Sequence, residues 1–176
     1  MSAYITLATP MVECDVLVDA LADVGFDRSS VEIHEQAAPL VGYDGRSRGQ
    51  VAHIVIRRQF VGAASNDIGF EKTTTGYRAY ISDYDRGRYG AEWLSRLHER
   101  YRHHARMKTE RLERETREAE ARERVRLEAQ AREEERVRLV EAQRQSVVER
   151  AKKLGYRVEE SREGETIRLV LVKRVY

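Results

Sequence analysis

The sequence predicts an α+β protein: an antiparallel or mixed sheet with helices on one face, in the order β-α-β-β-β-β-α-β-β, plus one very long charged helix. Three observations lead there. Short apolar runs alternate with polar residues at the two-residue period of a strand and are separated by turn-forming residues. Two other segments space their apolar residues as a helix does. Finally, residues 105–146 carry 12 Lys/Arg and 11 Asp/Glu in 42 positions, with no glycine or proline among them.

The elements follow in order. Residues 2–8 alternate around Tyr4 and Ile5 as a strand, and Thr9 followed by Pro10 offers a helix cap with proline at the first helical position. Leu17, Ala20, Leu21 and Val24 fall at helical spacing, and Gly25 stands where a helix ends in a left-handed residue. A strand at 31–35, a loop through 41–49 with three glycines, and a strand at 51–58 come next. In that last strand Ala52, Ile54 and Ile56 are expected on one face. Residues 62–66 form a turn; 67–72 and 77–83 are a hairpin around 73–76. Trp93, Leu94 and Leu97 begin the long helix with an apolar face. Val147, Val148, Ala151 and Leu154 are expected to bring it back to the core before Gly155 ends it. Strands at 156–161 and 165–174, joined at 163–164, close the chain with Ile167, Leu169 and Leu171 on one face.

The charge distribution sets the domain organisation. Of 176 residues 35% are charged, yet the net charge is only +2. The 105–146 stretch holds 23 of those charges, and the other 134 residues hold 39, close to an ordinary density. The expectation is one α+β domain from 1–104 and 147–176, with 105–146 inserted as a helical arm. Glu, Arg, Ala, Leu and Gln dominate the arm, all strong helix formers. Glu110–Arg114, Glu113–Arg117, Glu118–Arg122, Glu120–Arg124, Glu128–Arg132 and Glu134–Arg138 are Glu-before-Arg pairs at i,i+4, each worth roughly 0.2–0.5 kcal/mol to a helix. A helix from about Tyr89 to Lys153 would be about 95 Å long at 1.5 Å per residue. Ala105, Leu112 and Ala119 repeat at seven and Arg126 breaks the series. A solvated single helix, a helix hairpin and a dimeric coiled coil therefore all stay open.

Composition excludes several classes. A net charge near zero argues against a whole-chain polycation on nucleic acid. No apolar run approaches the length of a membrane span, and the start lacks a basic region followed by an apolar one. A lone Cys14 excludes an internal disulfide, and its acidic neighbours Glu13 and Asp15 disfavour a thiolate. The expected setting is the cytoplasm.

Five stretches together resemble one family: LVGYDGRSRGQVAHIVIRR at 40–58, NDIGFEK at 66–72, ISDYD at 81–85, ERYRHH at 99–104, and GYRVEE with GETIRLVLVKR across 155–174. They are similar to domain of unknown function family 1257, the family of a chloroplast conserved reading-frame protein. The resemblance covers roughly 2–104 and 147–174. Arg100, Tyr101 and His104 match its RYxxH-like element, and His103 stands where an aromatic is more usual. The resemblance implies that the arm is an insertion into the family's second helix. It transfers no activity. It implies partners, a small companion protein and an AAA+ type ATPase, and hence an accessory or adaptor role.

Candidate chemistry is sparse. The stretch GYDGRSRG at 42–49 lacks the Gly-Lys-Ser/Thr ending of a phosphate-binding loop and leads into a strand, so a turn is the expected reading. Neighbouring histidines on a helix diverge by about 100°, so His103 and His104 are a poor chelate, and no metal is expected. His104, with Tyr101 and Arg100, is expected to make a polar contact against the sheet. Asp67 is expected to accept from turn amides. The interaction candidates are Tyr43, Asp67, Asp85, Arg100, Tyr101 and His104, with no catalytic residue and no cofactor expected. The function expected is a non-catalytic interaction or adaptor module whose charged arm docks a protein partner or a second copy. Two alternatives remain open: a nucleic-acid binder using the basic 86–108 region, and an enzyme with a site near Asp67, Asp85 and His104.

Overall fold

A computed structural model of the chain describes residues 3–164 and 166–173. Ser2, Glu165 and Arg174, expected at strand ends, lie outside the described residues. The element order is β1 (Tyr4–Ala8), α1 (Cys14–Asp23), β2 (Val31–Val41), β3 (Ser47–Ile56), a single-turn α2 (Arg58–Val61), β4 (Ile68–Thr73), β5 (Gly76–Ser82), a 3₁₀ turn (Asp83–Asp85), a single-turn α3 (Arg86–Tyr89), α4 (Ala91–Lys153), β6 (Tyr156–Glu163) and β7 (Thr166–Lys173). The chain is α+β, as its periodicities predict. It divides into two compact units, Met1–Glu113 and Arg114–Tyr176.

The first unit holds a five-stranded antiparallel sheet in the order β1-β5-β4-β3-β2. Alternation sorts its side chains to two faces. Ile54, Ile56, Ile68, Phe70, Ala79 and Ile81 point to one side and meet Leu17, Leu21, Trp93, Leu97 and Tyr101 from α1 and the start of α4. Phe26, Tyr89 and Trp93 close this layer as an aromatic cluster, with ring centroids 5.4–6.0 Å apart. Helix α1 ends as expected, at Gly25 with φ +107°. Its start differs. Thr9 and Pro10 do not cap it; Thr9 continues the ladder by donating to the Tyr77 carbonyl, and the cap position falls at Glu13.

The opposite face of the sheet is covered by the sheet's own hairpin. Strands β2 and β3 are longer than expected, which shortens the loop to residues 42–46. Between Ile33 and Ala38 five residues of β2 pass two of β3, from Ile54 to Ala52, and the hairpin curls at this bulge. Ala52 therefore leaves the face it was expected to share with Ile54 and Ile56. It joins Leu40, Val55 and Tyr80 in a second buried cluster, with Tyr4 and Ala38 packed on it. Gly69 makes the close approach possible, because a Cβ there would lie 2.7 Å from Ala52 Cβ and from both Leu40 methyls. Where β3 bends away from β4, the His53 imidazole takes over from the backbone and accepts from the Lys72 amide at 3.0 Å.

Helix α4 is one continuous helix of 63 residues, which removes the helix-hairpin alternative for the arm. Residues 109–140 are exposed around the whole circumference. Glu118–Arg122 pairs as predicted at 3.7 Å. Arg124 turns to Glu128 rather than Glu120, and Glu123–Arg126, Glu133–Arg136 and Glu141–Arg144 pair at i,i+3. The two spacings bring exposed side chains equally close, so neither is strongly preferred. In the second unit β6 and β7 form a two-stranded antiparallel sheet, tied to the helix by Arg144 to Glu160 at 2.5 Å. Of the residues expected to return the helix to a core, Ala151 is buried at 3%, whereas Val147 and Leu154 are exposed at 44% and 75%. A two-stranded sheet offers too narrow a face to cover a wider helical stripe.

Candidate functional site

The candidates separate into two groups. The first gathers at one end of the sheet, where β1 begins, β5 ends and the segment before β4 passes beneath the tip of the curled hairpin. Asp67 is its centre and is 1% exposed. Its Oδ1 accepts from the Arg58 amide at 2.7 Å, and its Oδ2 accepts from the Val41 amide at 2.9 Å and from Arg57 Nη1 at 3.0 Å. Its backbone amide donates to the Val41 carbonyl, and its carbonyl accepts from the Tyr4 hydroxyl at 2.9 Å. The amides it serves belong to the end of β2 and to the first residue of α2 rather than to its own turn. Buried charges need such donors, and here both carboxylate oxygens have them.

The neighbours of Asp67 continue the network. Asn66 Oδ1 accepts from the Tyr43 amide at 2.9 Å, and Ser65 Oγ donates to Asp85 Oδ1 at 2.7 Å. Arg57 also bonds Glu32, and this contact holds the Glu32 carboxyl below its usual range. Arg58 donates to the Tyr43 carbonyl. Arg48 lies 3.1 Å from Asp44 and stacks over the half-exposed Tyr43 ring at 5.5 Å. Burial, with Asp67 next in weight, pushes the Tyr4 hydroxyl well above its usual range. The structure thus brings Tyr43, Asp67 and Asp85 together. What the arrangement does is pin three strand ends and the hairpin tip with long-range polar contacts.

Tyr4, Ser65 and Asn66 belong to this end and were missed by sequence reasoning. The only sequence signal was the consecutive Ser-Asn-Asp run, which reads as an ordinary turn until the curl of β2–β3 buries it.

The second group stands on α4 against α1. The Tyr101 hydroxyl accepts from the Val12 and Glu13 amides at 3.0 Å each, just before α1 begins. Lys108 reaches Glu13 and Asp15 at 2.6 Å each, and it holds the Asp15 carboxyl below its usual range. His104 meets Asp23 at 3.0 Å. Its contact is with Asp23 at the end of α1, not with the sheet, because α4 turns Tyr101 rather than His104 into the buried layer. Arg100 lines an open cleft of about 460 Å³ with Arg96, Glu99, Asp23, Val24 and Gly25. Among the described residues no hydrogen bond or ion pair joins His104 to Asp67 or Asp85. In the basic 86–108 region, Tyr89, Trp93 and Tyr101 are buried and Lys108 is engaged by two carboxylates.

Among the described residues, no group of three or more His, Cys, Asp or Glu is arranged to hold a metal ion, and no helix is long and apolar enough to cross a membrane. Compared with protein-family models, characterised proteins and solved structures, the chain matches none.

Proposed function

We propose that this protein is a non-catalytic interaction module, an adaptor, whose helical arm docks along a protein partner. One observation carries the reading: residues 109–140 form unbroken helix and are exposed on every side. A helix that buries none of these side chains adds nothing to a core, and its stability rests on local propensity and on short-range pairs worth a few tenths of a kcal/mol each. Such a stretch serves reach. Leu112, Val125, Leu127, Val137 and Leu139 are exposed among the charges and supply apolar contact points for a partner helix. The resemblance read from the sequence points to an ATPase of the AAA+ type, or a small companion protein beside it, as the partner in the cytoplasm. Association through the arm with a second copy is the competing use of the same surface. At the sheet end, the Asp67 lone pairs already serve backbone and guanidinium donors, which favours a scaffolding role for that carboxylate over acid–base work.

The experiment compares the full chain with a form lacking residues 109–140, about nine helical turns and so rejoined in phase, as baits in the native host. Recovery of one ATPase subunit by the full chain alone is the expected result. Equal recovery by both forms overturns docking through the arm and moves it to the α+β unit.

A further inference from the structure

The two edges of the five-stranded sheet are built differently. Strand β2, at one edge, carries Pro39, the charged Glu32 and Glu35, and two register shifts. These are the devices by which edge strands avoid pairing with other chains. Strand β1, at the other edge, has none of them. Its sequence YITLA contains no charge and no proline, and it runs in unbroken register along β5 from Tyr4 opposite Ser82 to Ala8 opposite Arg78.

Which backbone groups of β1 face outward follows from its inner ladder. The Ala3 carbonyl accepts from the Asp83 amide and the Thr9 amide donates to the Tyr77 carbonyl, so odd-numbered residues direct their polar groups to β5. In an antiparallel ladder this alternates strictly. Tyr4, Thr6 and Ala8 therefore turn their N–H and C=O groups outward, and among the described residues no strand pairs with that side.

We propose that β1 is the surface through which two copies of this chain associate, pairing antiparallel about Thr6. That register is self-complementary. Thr6 faces Thr6 of the other copy as a hydrogen-bonded pair, Tyr4 faces Ala8, and Ala8 faces Tyr4, so every outward N–H and C=O finds a partner. A shift by one residue would face outward groups with inward ones and lose the ladder. The side chains agree with the backbone. Ile5 and Leu7 point to the helix side, where they line a pocket of about 280 Å³ with Ile81, Tyr89, Gly90 and Ala91, and with the oppositely charged Asp83 and Arg86. Antiparallel pairing sets Ile5 of each copy beside Leu7 of the other and joins the two pockets across the axis. With no charged residue in β1, the strand meets itself without repulsion. An isologous two-fold contact is also the commonest way a chain meets its own copy.

The test is sedimentation equilibrium of the full chain up to roughly 1 mM. Wild type is expected to form a dimer. Thr6→Pro removes an outward N–H and leaves the β1–β5 ladder intact, the position in an edge strand where proline is tolerated. It is expected to weaken the dimer at least about tenfold without changing the melting temperature. Thr6→Glu and Thr6→Lys place like charges directly opposite each other, so each alone should be monomeric, whereas a mixture of the two should dimerise. A wild type monomeric throughout overturns the proposal. So does a dimer unaffected by either charged variant, which would place association on another surface, or a mixture that fails to recover it.

Discussion

At the residue scale, a carboxylate taken out of water is tolerated only if donors replace the solvent it has lost, and Asp67 has three, from Val41, Arg58 and Arg57. Removing it strands two amides, while Arg57 keeps Glu32, and the two unsatisfied buried donors cost about 2–6 kcal/mol at about 1–3 kcal/mol each. Asp67→Ala is therefore expected to lower the stability of the first unit by about that amount. Asp67→Asn, which keeps an acceptor for the Arg58 amide, should lose roughly half as much. Urea unfolding followed by tryptophan fluorescence measures both, since Trp93 lies in the aromatic cluster of the same unit. A loss below about 1 kcal/mol for the alanine variant would mean that the hairpin tip opens to water and does not depend on Asp67. The role of Asp67 as an acceptor of backbone amides was legible from its place beside a turn. Its donors were not, because Val41 stands 26 positions away and only the curl of β2–β3 brings it near. The same holds for Tyr4, whose hydroxyl reaches the Asp67 carbonyl from 63 positions off.

At the scale of elements, the hairpin β2–β3 decides what the sheet end looks like. Local alternation reports which side of its own strand a residue points to, and that, with the turn residues, was enough to order nine elements and to pair β4 with β5 as a hairpin. It is blind to a bulge that turns part of a strand onto another face, which is why Ala52 parts from Ile54. Gly69 is the element's test point. A methyl group there would meet Ala52 and Leu40 at 2.7 Å, far inside van der Waals contact. Gly69→Ala is thus expected to lift the curled hairpin from the sheet and to cost about 1–3 kcal/mol by overpacking. Amide exchange should accelerate in residues 38–52 while β5 stays protected. Uniform acceleration across the sheet would instead mean that the hairpin and the sheet open as one cooperative piece. Helix α4 was legible for the opposite reason: its signal is local, carried by propensity and by charges three and four residues apart, and needs no tertiary contact.

At the scale of the whole chain, the expectation of one domain from 1–104 and 147–176 can be set against the division into Met1–Glu113 and Arg114–Tyr176. Both buried clusters of the first unit draw their members from residues up to Tyr101, with Ala105 packed against them. Lys108 of α4 bonds Glu13 and Asp15 at the start of α1. A chain ending at Glu113 therefore keeps each of these contacts, and its length is that of an ordinary independent domain. The second unit is poorer: Val147, Leu154, Val170, Leu171 and Val172 are exposed, and a lone hairpin on a helix is marginal in water. Met1–Glu113 alone is accordingly expected to unfold cooperatively, with a denaturation midpoint within about 0.5 kcal/mol of the corresponding transition of the full chain, the range of ordinary surface changes. Arg114–Tyr176 alone is expected to keep helical circular dichroism but to melt without a cooperative transition. The outcome separates the two organisations. A midpoint loss of several kcal/mol on truncation would return the C-terminal hairpin to the domain that the sequence predicts. An unchanged midpoint would make that hairpin and the arm a unit whose exposed apolar residues serve contacts other than folding of the sheet.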